Sequence, residues 1–591
     1  MTVTSKRALV FKATFAILLL SPAFCRSQSA KPAPSPASVT GVITGRVLNS
    51  AGEPLPDAVV YAGSVGGPRR SQTARTDRNG DFKIVGLTAG LYRVSAGLRG
   101  YIPSNQFAFN SRNFYQIGDH VTLTMNKGGV ITGKVTGPGG PAVALGVYAF
   151  RVRDEAGKLL TTPVLQRERA TDDRGVYRIY GLAPGGYVVL AARPRTGMIA
   201  PTAYDNDTPI YFPSSPRDTA SEITVREGDE LTADIQYLAG PGHAVRGKVL
   251  GIVESQPLFR SNATVTLVDV RNRSMTFAVS TSSYDQFNFV FTGVPAGEYE
   301  LFALQYLGDV DESRRSATRR VTVGESDVAG VTLMLAKQGA IEGRLIFETD
   351  AKNHCGKRRE TAAQETIVFG RRYEPEKKDD APVNPELAQT SIVATNHVGL
   401  GAGDATGAFA LRNLPSGTYR IDVRVPASGW YLRSIATGEA APQSRIAVAA
   451  NRDSVSVRGG ATISGLVVTF TEGAAVVRGQ VMAAEGQRLP ASTFVYLVPA
   501  DKEGAANLLR YFEAPVAVDG EFAFGNVAPG SYLIVAMKSN DDSATPNAIR
   551  ADASLRTAVT REAEKAKQSV TLKACERLEN YEFAYPPTTK P

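Results

Sequence analysis

Histidine and cysteine are the side chains that most readily hold metals or act as nucleophiles, and this 591-residue chain has four of the first and three of the second. His120, His243, His354 and His397 stand far apart, with no His-x-x-Glu pair and no His-Glu-x-x-His turn of helix. Catalytic zinc takes three protein ligands, commonly histidine, so a zinc peptidase is excluded. His354 adjoins Cys355, and that pair reads as a solvated loop. Cys25 lies in a leader-like segment, which leaves Cys355 and Cys575 in the body of the chain. Two buried free thiols are expected there; a single bridge is the alternative in an oxidising compartment. The Asp-x-x-Gly segments at Asp77–Gly80, Asp172–Gly175 and Asp404–Gly407 offer too few oxygens for calcium, which wants about six to eight, and read as plain turns. Nucleophile-elbow serines, phosphate loops and dinucleotide glycine fingerprints are absent from the sequence. No catalytic residue, metal ligand or cofactor is therefore assigned.

Aromatic rings are the remaining chemistry. Tyr101, Phe107, Phe109, Phe114 and Tyr115 fall in one Ser/Asn/Gln-rich stretch, Tyr204, Tyr211 and Phe212 in a second, and the lone tryptophan, Trp430, stands beside Tyr431. Flat rings among amide and hydroxyl groups suit stacking on sugar faces, which makes Tyr101, Phe114, Tyr115, Tyr204, Tyr211, Trp430 and Tyr431 the ligand-binding candidates. The alternative is that they plug sandwich ends or seams between domains.

The elements that position these residues recur. Five segments share a glycine or asparagine turn leading to tyrosine: Gly86–Tyr92, Gly181–Tyr187, Gly293–Tyr299, Asn413–Tyr419 and Asn526–Tyr532. Each lies downstream of an apolar-x-Gly-polar-apolar signature at Ile43–Val47, Ile131–Val135, Val245–Val249, Ile341–Leu345 or Val477–Val481. The signatures stand about 90 to 135 residues apart, a usual domain size and too long for a solenoid unit. Within each copy, short alternating runs such as Ala58–Ala62, Phe82–Val85, Tyr92–Ala96 and Val121–Met125 are bounded by turn residues. That pattern predicts an all-β sandwich. Ile223–Val225 together with Ala233–Tyr237 is read as the closing strand of the second copy. One amphipathic helix is expected, from about Ala553 to Lys567, capping the last copy.

The expected organisation is a signal peptide at 1–25, a disordered linker at 26–40, and β-sandwich repeats at 41–128, 129–241, 242–339, 340–474 and 475–591. Lys6 and Arg7, the apolar run Ala8–Leu20 and the small residues of Ser21–Cys25 carry the leader assignment. The apolar run is short of the ~20 residues a membrane span needs. The fourth repeat holds a charged insertion, 348–365, expected to be a mobile loop; the fifth ends in the helix and a tail. The formal charge of +9 falls to about +6 without the leader, and no basic cluster points to nucleic acid.

With these anchors the chain resembles the carboxypeptidase regulatory-like family, through Ile43–Val47, Ala51–Ala58, Thr76–Phe82 and Gly86–Tyr92, and again through Ala170–Tyr177 and Gly181–Tyr187. The resemblance implies a tandem array of five transthyretin-like sandwiches, related to carbohydrate-binding-like and Cna-B-like folds, of a secreted bacterial type. In Cna-B-like domains a core lysine can form a cross-link to asparagine. The matching slot here is Arg46, Lys134, Lys248, Arg344 and Gln480, so a repeated cross-link is not expected. The expected role is a non-enzymatic binding or spacing element at the cell envelope, with glycans or envelope proteins as partners. A carbohydrate-binding protein using the aromatic loops, or an enzyme with a site between domains, are the alternatives.

Overall fold

The computed structural model describes residues 40–585 except 66–70, 104–113, 156, 194–202, 216–218, 254–261, 272–275, 283–285, 308–311, 351, 357–360, 374–399, 426–427, 438–453, 484–488, 491–492, 518–519 and 539–547. The leader and residues 26–39 of the linker lie outside the described residues. The fold is all-β, built from paired sheets.

The Gly signature of each repeat sits in an opening strand: Thr40–Asn49, Gly129–Gly137, His243–Leu250, Gly339–Glu348 and Ala475–Met482. On one side the opening strand pairs antiparallel with the strand that enters the Gly/Asn turn. On the other it pairs parallel with the closing strand of the same repeat. The second sheet joins the repeat's second strand to its tyrosine strand, antiparallel in every case. An apolar core lies between the two layers of each repeat; in the third, Glu312–Ser316 pairs with both the tyrosine strand and the closing strand and joins the layers into one eight-stranded sheet.

The parallel closure explains the signature glycine. A Cβ on Gly45, Gly133, Gly247, Gly343 or Gly479 would run into the carbonyl oxygen of Val121, Ala233, Val331, Leu466 or Tyr581 in the closing strand. From the other side the buried ring of Phe82, Tyr177, Phe289, Phe409 or Phe522 covers the same spot. Only glycine admits both neighbours. The polar residue after it, Arg46, Lys134, Lys248 or Arg344, faces solvent, and Arg46 pairs with Asp81 at 2.6 Å.

The tyrosine that ends the second signature is buried in all five repeats. Its phenol donates to the carbonyl four residues upstream: Tyr92 to Thr88 at 2.7 Å, Tyr187 to Ala183 at 2.7 Å, Tyr299 to Pro295 at 2.8 Å, Tyr419 to Pro415 at 2.6 Å and Tyr532 to Ala528 at 2.7 Å. The apolar ring therefore fills the core while its one polar atom is satisfied by the turn just crossed. The residue that starts the turn is left-handed, with φ of 72°, 72° and 67° at Gly86, Gly181 and Gly293 and of 59° and 58° at Asn413 and Asn526. Glycine and asparagine are the residues that tolerate this region, hence their exchange across the copies.

Asp77, Asp172 and Asp404 close their turns as expected. Each carboxylate accepts two backbone N–H groups, Asp172 from Arg174 at 3.0 Å and Val176 at 2.7 Å. The Val176 bond and the Arg174 guanidinium hold the Asp172 carboxyl below the usual range. One strand assignment needs correction. The true closing strand of repeat 2 is Glu230–Thr232 with Ile235–Gln236, whereas Ile223–Val225 belongs to Glu222–Val225 and pairs with the tyrosine strand of the opposite sheet. Alternation shows that a segment is extended, not which sheet it joins. The helix Ala553–Ala566 forms as read, with Asp552 capping its N-terminus, and Val559 and Ala563 cover the outer face of the last repeat's sheet.

Two outcomes follow. Trp430 lies in the repeat 4 core and is the chain's one tryptophan, so its fluorescence reports that repeat. In urea titrations read by Trp430, Gly343→Ala should cost at least about 2 kcal/mol through overpacking, and Tyr419→Phe about 1 kcal/mol through its lost hydrogen bond. Burial pushes Tyr187, Tyr299 and Tyr532 up and Tyr419 up to about 12. A phenol whose folded pKa exceeds the unfolded value of about 10 favours the fold below that pH and loses its contribution as pH rises from there through the folded value. Stability should fall above about pH 10, and these phenols should ionise, by absorbance, only on unfolding.

Candidate functional site

The aromatic candidates occupy three environments. Tyr211 and Trp430 are core residues, 1% and 6% exposed. Tyr211 lies with Tyr148, Phe150 and Leu190 in a second apolar cluster of repeat 2, and Trp430 meets the ring of Phe347 edge-on at 5.0 Å. Tyr101 and Tyr115 are half-buried against the repeat 1 core, and Tyr204 and Phe212 against the repeat 2 core. Burial pushes the Tyr115 phenol up, with Asp119 adding to it. Tyr431 is half-buried in the strand Trp430–Thr437. Phe107 and Phe109 lie outside the described residues.

The burial of Tyr211 and Trp430 fits the alternative in which the rings plug a sandwich, and leaves neither open to a sugar face. Ile210–Tyr211 pairs with the tyrosine strand, and Trp430–Thr437 pairs with the closing strand Thr462–Glu472. What reads as polar loop is an added strand, and an added strand turns alternate rings inward. Phe114 stands apart from both groups. Its ring lies 5.8 Å from the guanidinium carbon of Arg93 in its own repeat and 5.3 Å from that of Arg424 in repeat 4. Repeats 1 and 4 therefore touch, and the order of contacts is not simply the order along the chain.

The densest chemistry lies between repeats 4 and 5. Cys355 and Cys575 form a disulfide with Cα atoms 5.1 Å apart and a separation of 220 positions in sequence. This corrects the expectation of free thiols, and with it the reading of 348–365 as a mobile loop. Among its described residues, Ala362 and Glu365 are buried, and Thr361 donates to the Glu365 carboxylate at 2.8 Å. His354, exposed beside the disulfide, is hydrogen-bonded through Nδ1 to the buried carboxylate of Glu472 at 2.6 Å. Asn526, the left-handed turn residue of repeat 5, donates to the Val425 carbonyl of repeat 4 at 3.0 Å. Arg550 donates to the carbonyls of Tyr511 at 2.9 Å and Leu509 at 3.3 Å and lies 4.0 Å from the Asp422 carboxylate of repeat 4. Burial lowers the Arg550 pKa, and Asp422 opposes the shift.

Asn413 makes the equivalent grip one junction earlier, its Oδ1 accepting from the Ser313 N–H of repeat 3 at 2.6 Å. At the first junction Glu227 of repeat 2 accepts from Ser50 at 2.8 Å and from the Lys127 N–H at 2.9 Å. At the second, Thr292 of repeat 3 donates to the Asp205 carbonyl at 2.6 Å and accepts from Arg193 at 2.8 Å. Sequence reading missed these grips because each is one polar residue whose partner lies about 80 to 180 residues away. For the disulfide the usable signal was that the body of the chain holds two cysteines only.

Among the described residues no group of three His, Cys, Asp or Glu side chains is placed to hold a metal, and no helix is long and apolar enough to cross a membrane. A groove of about 420 Å³ runs along the last helix, lined by Tyr511, Arg556, Thr557, Thr560, Arg561 and Glu564. Arg556 is committed there to the carbonyls of Ile549 and Arg550.

Residues 42–128 match the family model of the carboxypeptidase regulatory-like domain. No curated protein sequence matches the chain. Among solved structures the chain is similar to the Bacillus anthracis TIE protein, with 13% identity, 50% of this chain and 51% of that one covered and a TM-score of 0.14. It thus spans about half the length of that protein. It is also similar to GBS52, the minor pilin of Streptococcus agalactiae, with 14% identity over 36% of this chain and 100% of that one and a TM-score of 0.19. A third is the pair of B repeat units from the collagen-binding protein of Staphylococcus aureus, with 9% identity, coverage of 74% and 100% and a TM-score of 0.13.

Digestion without reductant should yield the Cys355 and Cys575 peptides joined. Cys355→Ser should lower the stability read by Trp430 by about 2 to 4 kcal/mol, the usual effect of losing a long-range bridge. Recovery of both thiols alkylated without reduction would remove the link.

Proposed function

We propose that the chain is an exported, non-catalytic modular protein of the bacterial cell envelope, in which five sandwich domains are held at set spacings to bind or separate envelope components. The domains run 41–128, 129–241, 242–339, 340–474 and 475–591, behind a leader at 1–25. The observation that carries this reading is the build of the junctions. Closing strand Val328–Lys337 is separated from opening strand Gly339–Glu348 by Gln338 alone, and His120–Lys127 from Gly129–Gly137 by Gly128 alone. Links this short leave little hinge, and the polar grips add to that restraint.

Separate cores support the modular reading, since each repeat carries its own apolar cluster. The disulfide between the last two repeats supports export, because such bridges persist in oxidising compartments and are rare in the cytosol.

Cell fractionation with thiol trapping tests the reading. The chain should appear outside the cytoplasm with Cys355 and Cys575 resistant to alkylation. A cytoplasmic pool carrying both cysteines alkylated would contradict export.

A further inference from the structure

Arg424 is the least compensated charge at the seam between repeats 1 and 4. It lies on the tyrosine strand Gly417–Arg424, and its Nη1 is buried with no hydrogen-bond partner among the described residues. Desolvation lowers its pKa to about 10, and no carboxylate among the described residues opposes the shift. The nearest acid on its own strand, Asp422, is drawn to Arg550 of repeat 5. Beside it the Phe114 ring takes the Arg424 guanidinium at 5.3 Å and the Arg93 guanidinium at 5.8 Å. Backbone from both repeats also meets here, with the Gln364 carbonyl 3.9 Å from the Cβ position of Gly90.

A buried guanidinium without a counter-charge is costly, and arginine's planar fork matches two-oxygen anions. Stacking on an aromatic face fixes the fork's plane but does not neutralise it. We propose that this seam seats an oxyanion, the carboxylate, sulfate or phosphate group of a ligand, on Arg424, with Arg93 as the second cation and Phe114 holding both. Among the described residues no strand ladder joins repeats 1 and 4, so side chains rather than paired backbone line this seam.

The test is calorimetric titration of the full chain, without its leader, with sodium sulfate, sodium phosphate and a glucuronate-containing hexasaccharide, at ionic strength held constant with chloride. Saturable binding is expected, at least tenfold weaker in Arg424→Gln, weaker in Arg93→Gln and partly kept in Arg424→Lys. In chloride alone Arg424→Gln should melt higher than the parent by Trp430 fluorescence, since it removes a bare buried charge; a merely structural arginine would melt lower. Tenfold tighter binding of the hexasaccharide than of sulfate identifies an acidic polysaccharide as the source of the anion, and equal binding identifies free inorganic oxyanions. No saturable binding of any probe would overturn the proposal. So would parent-like binding by both Arg424→Gln and Arg93→Gln, each shown to be folded by circular dichroism.

Discussion

Each repeat depends on the contact between the opening-strand glycine, a closing-strand carbonyl and the aromatic ring over them. The first and last strands of a repeat lie about 75 to 120 residues apart in sequence yet run side by side and parallel. Such pairing closes a long loop before it gains any hydrogen bond, so it needs a feature that makes close approach favourable. The missing Cβ supplies it. With the two backbones close, the ring of the neighbouring strand seals the site, and the two sheets can enclose the residues between them. The tyrosine-to-carbonyl bond plays the matching part in the other sheet, where it fixes the turn from which the tyrosine strand starts. A signature that looks like two short motifs is one closure seen at its two ends.

The junctions reuse the same parts. Asn413 and Asn526 occupy the left-handed position that Gly86, Gly181 and Gly293 occupy elsewhere. The exchange keeps the turn and adds a side chain that reaches the preceding repeat. Repeat 5 departs furthest from the pattern, since helices cover the outer face of its second sheet. One of them carries Arg550 toward Asp422, and the disulfide binds the same pair of repeats. Polar side chains thus grip every junction, and the last adds a covalent bond.

How much of this the sequence shows follows from the range of the interactions. The opening signature, the tyrosine turn, the Asp turns and the helix Ala553–Ala566 are governed by residues within one or two turns of each other, and their patterns are legible. Sheet membership is not local. Ile223–Val225 alternates as a closing strand would, but hydrogen-bonds to the opposite sheet. The aromatic stretches leave two readings open for a related reason, because Tyr211 and Trp430 sit among polar residues that read as loop, while the strand pairing that turns their rings inward is made with distant strands. Charge around Cys355 suggested a solvated insertion, and its partner, Cys575, lies 220 residues away. Arg424 gave no signal at all, since its environment is made by repeat 1.

Native-state hydrogen exchange of the full chain, read by mass spectrometry, tests the closure most directly. The account predicts five separate islands of slow exchange, each joining an opening strand around Gly45, Gly133, Gly247, Gly343 or Gly479 to its own closing strand, with faster exchange between them. Protection confined to the helix Ala553–Ala566 and a single sheet, or opening and closing strands of one repeat exchanging independently of each other, would contradict it.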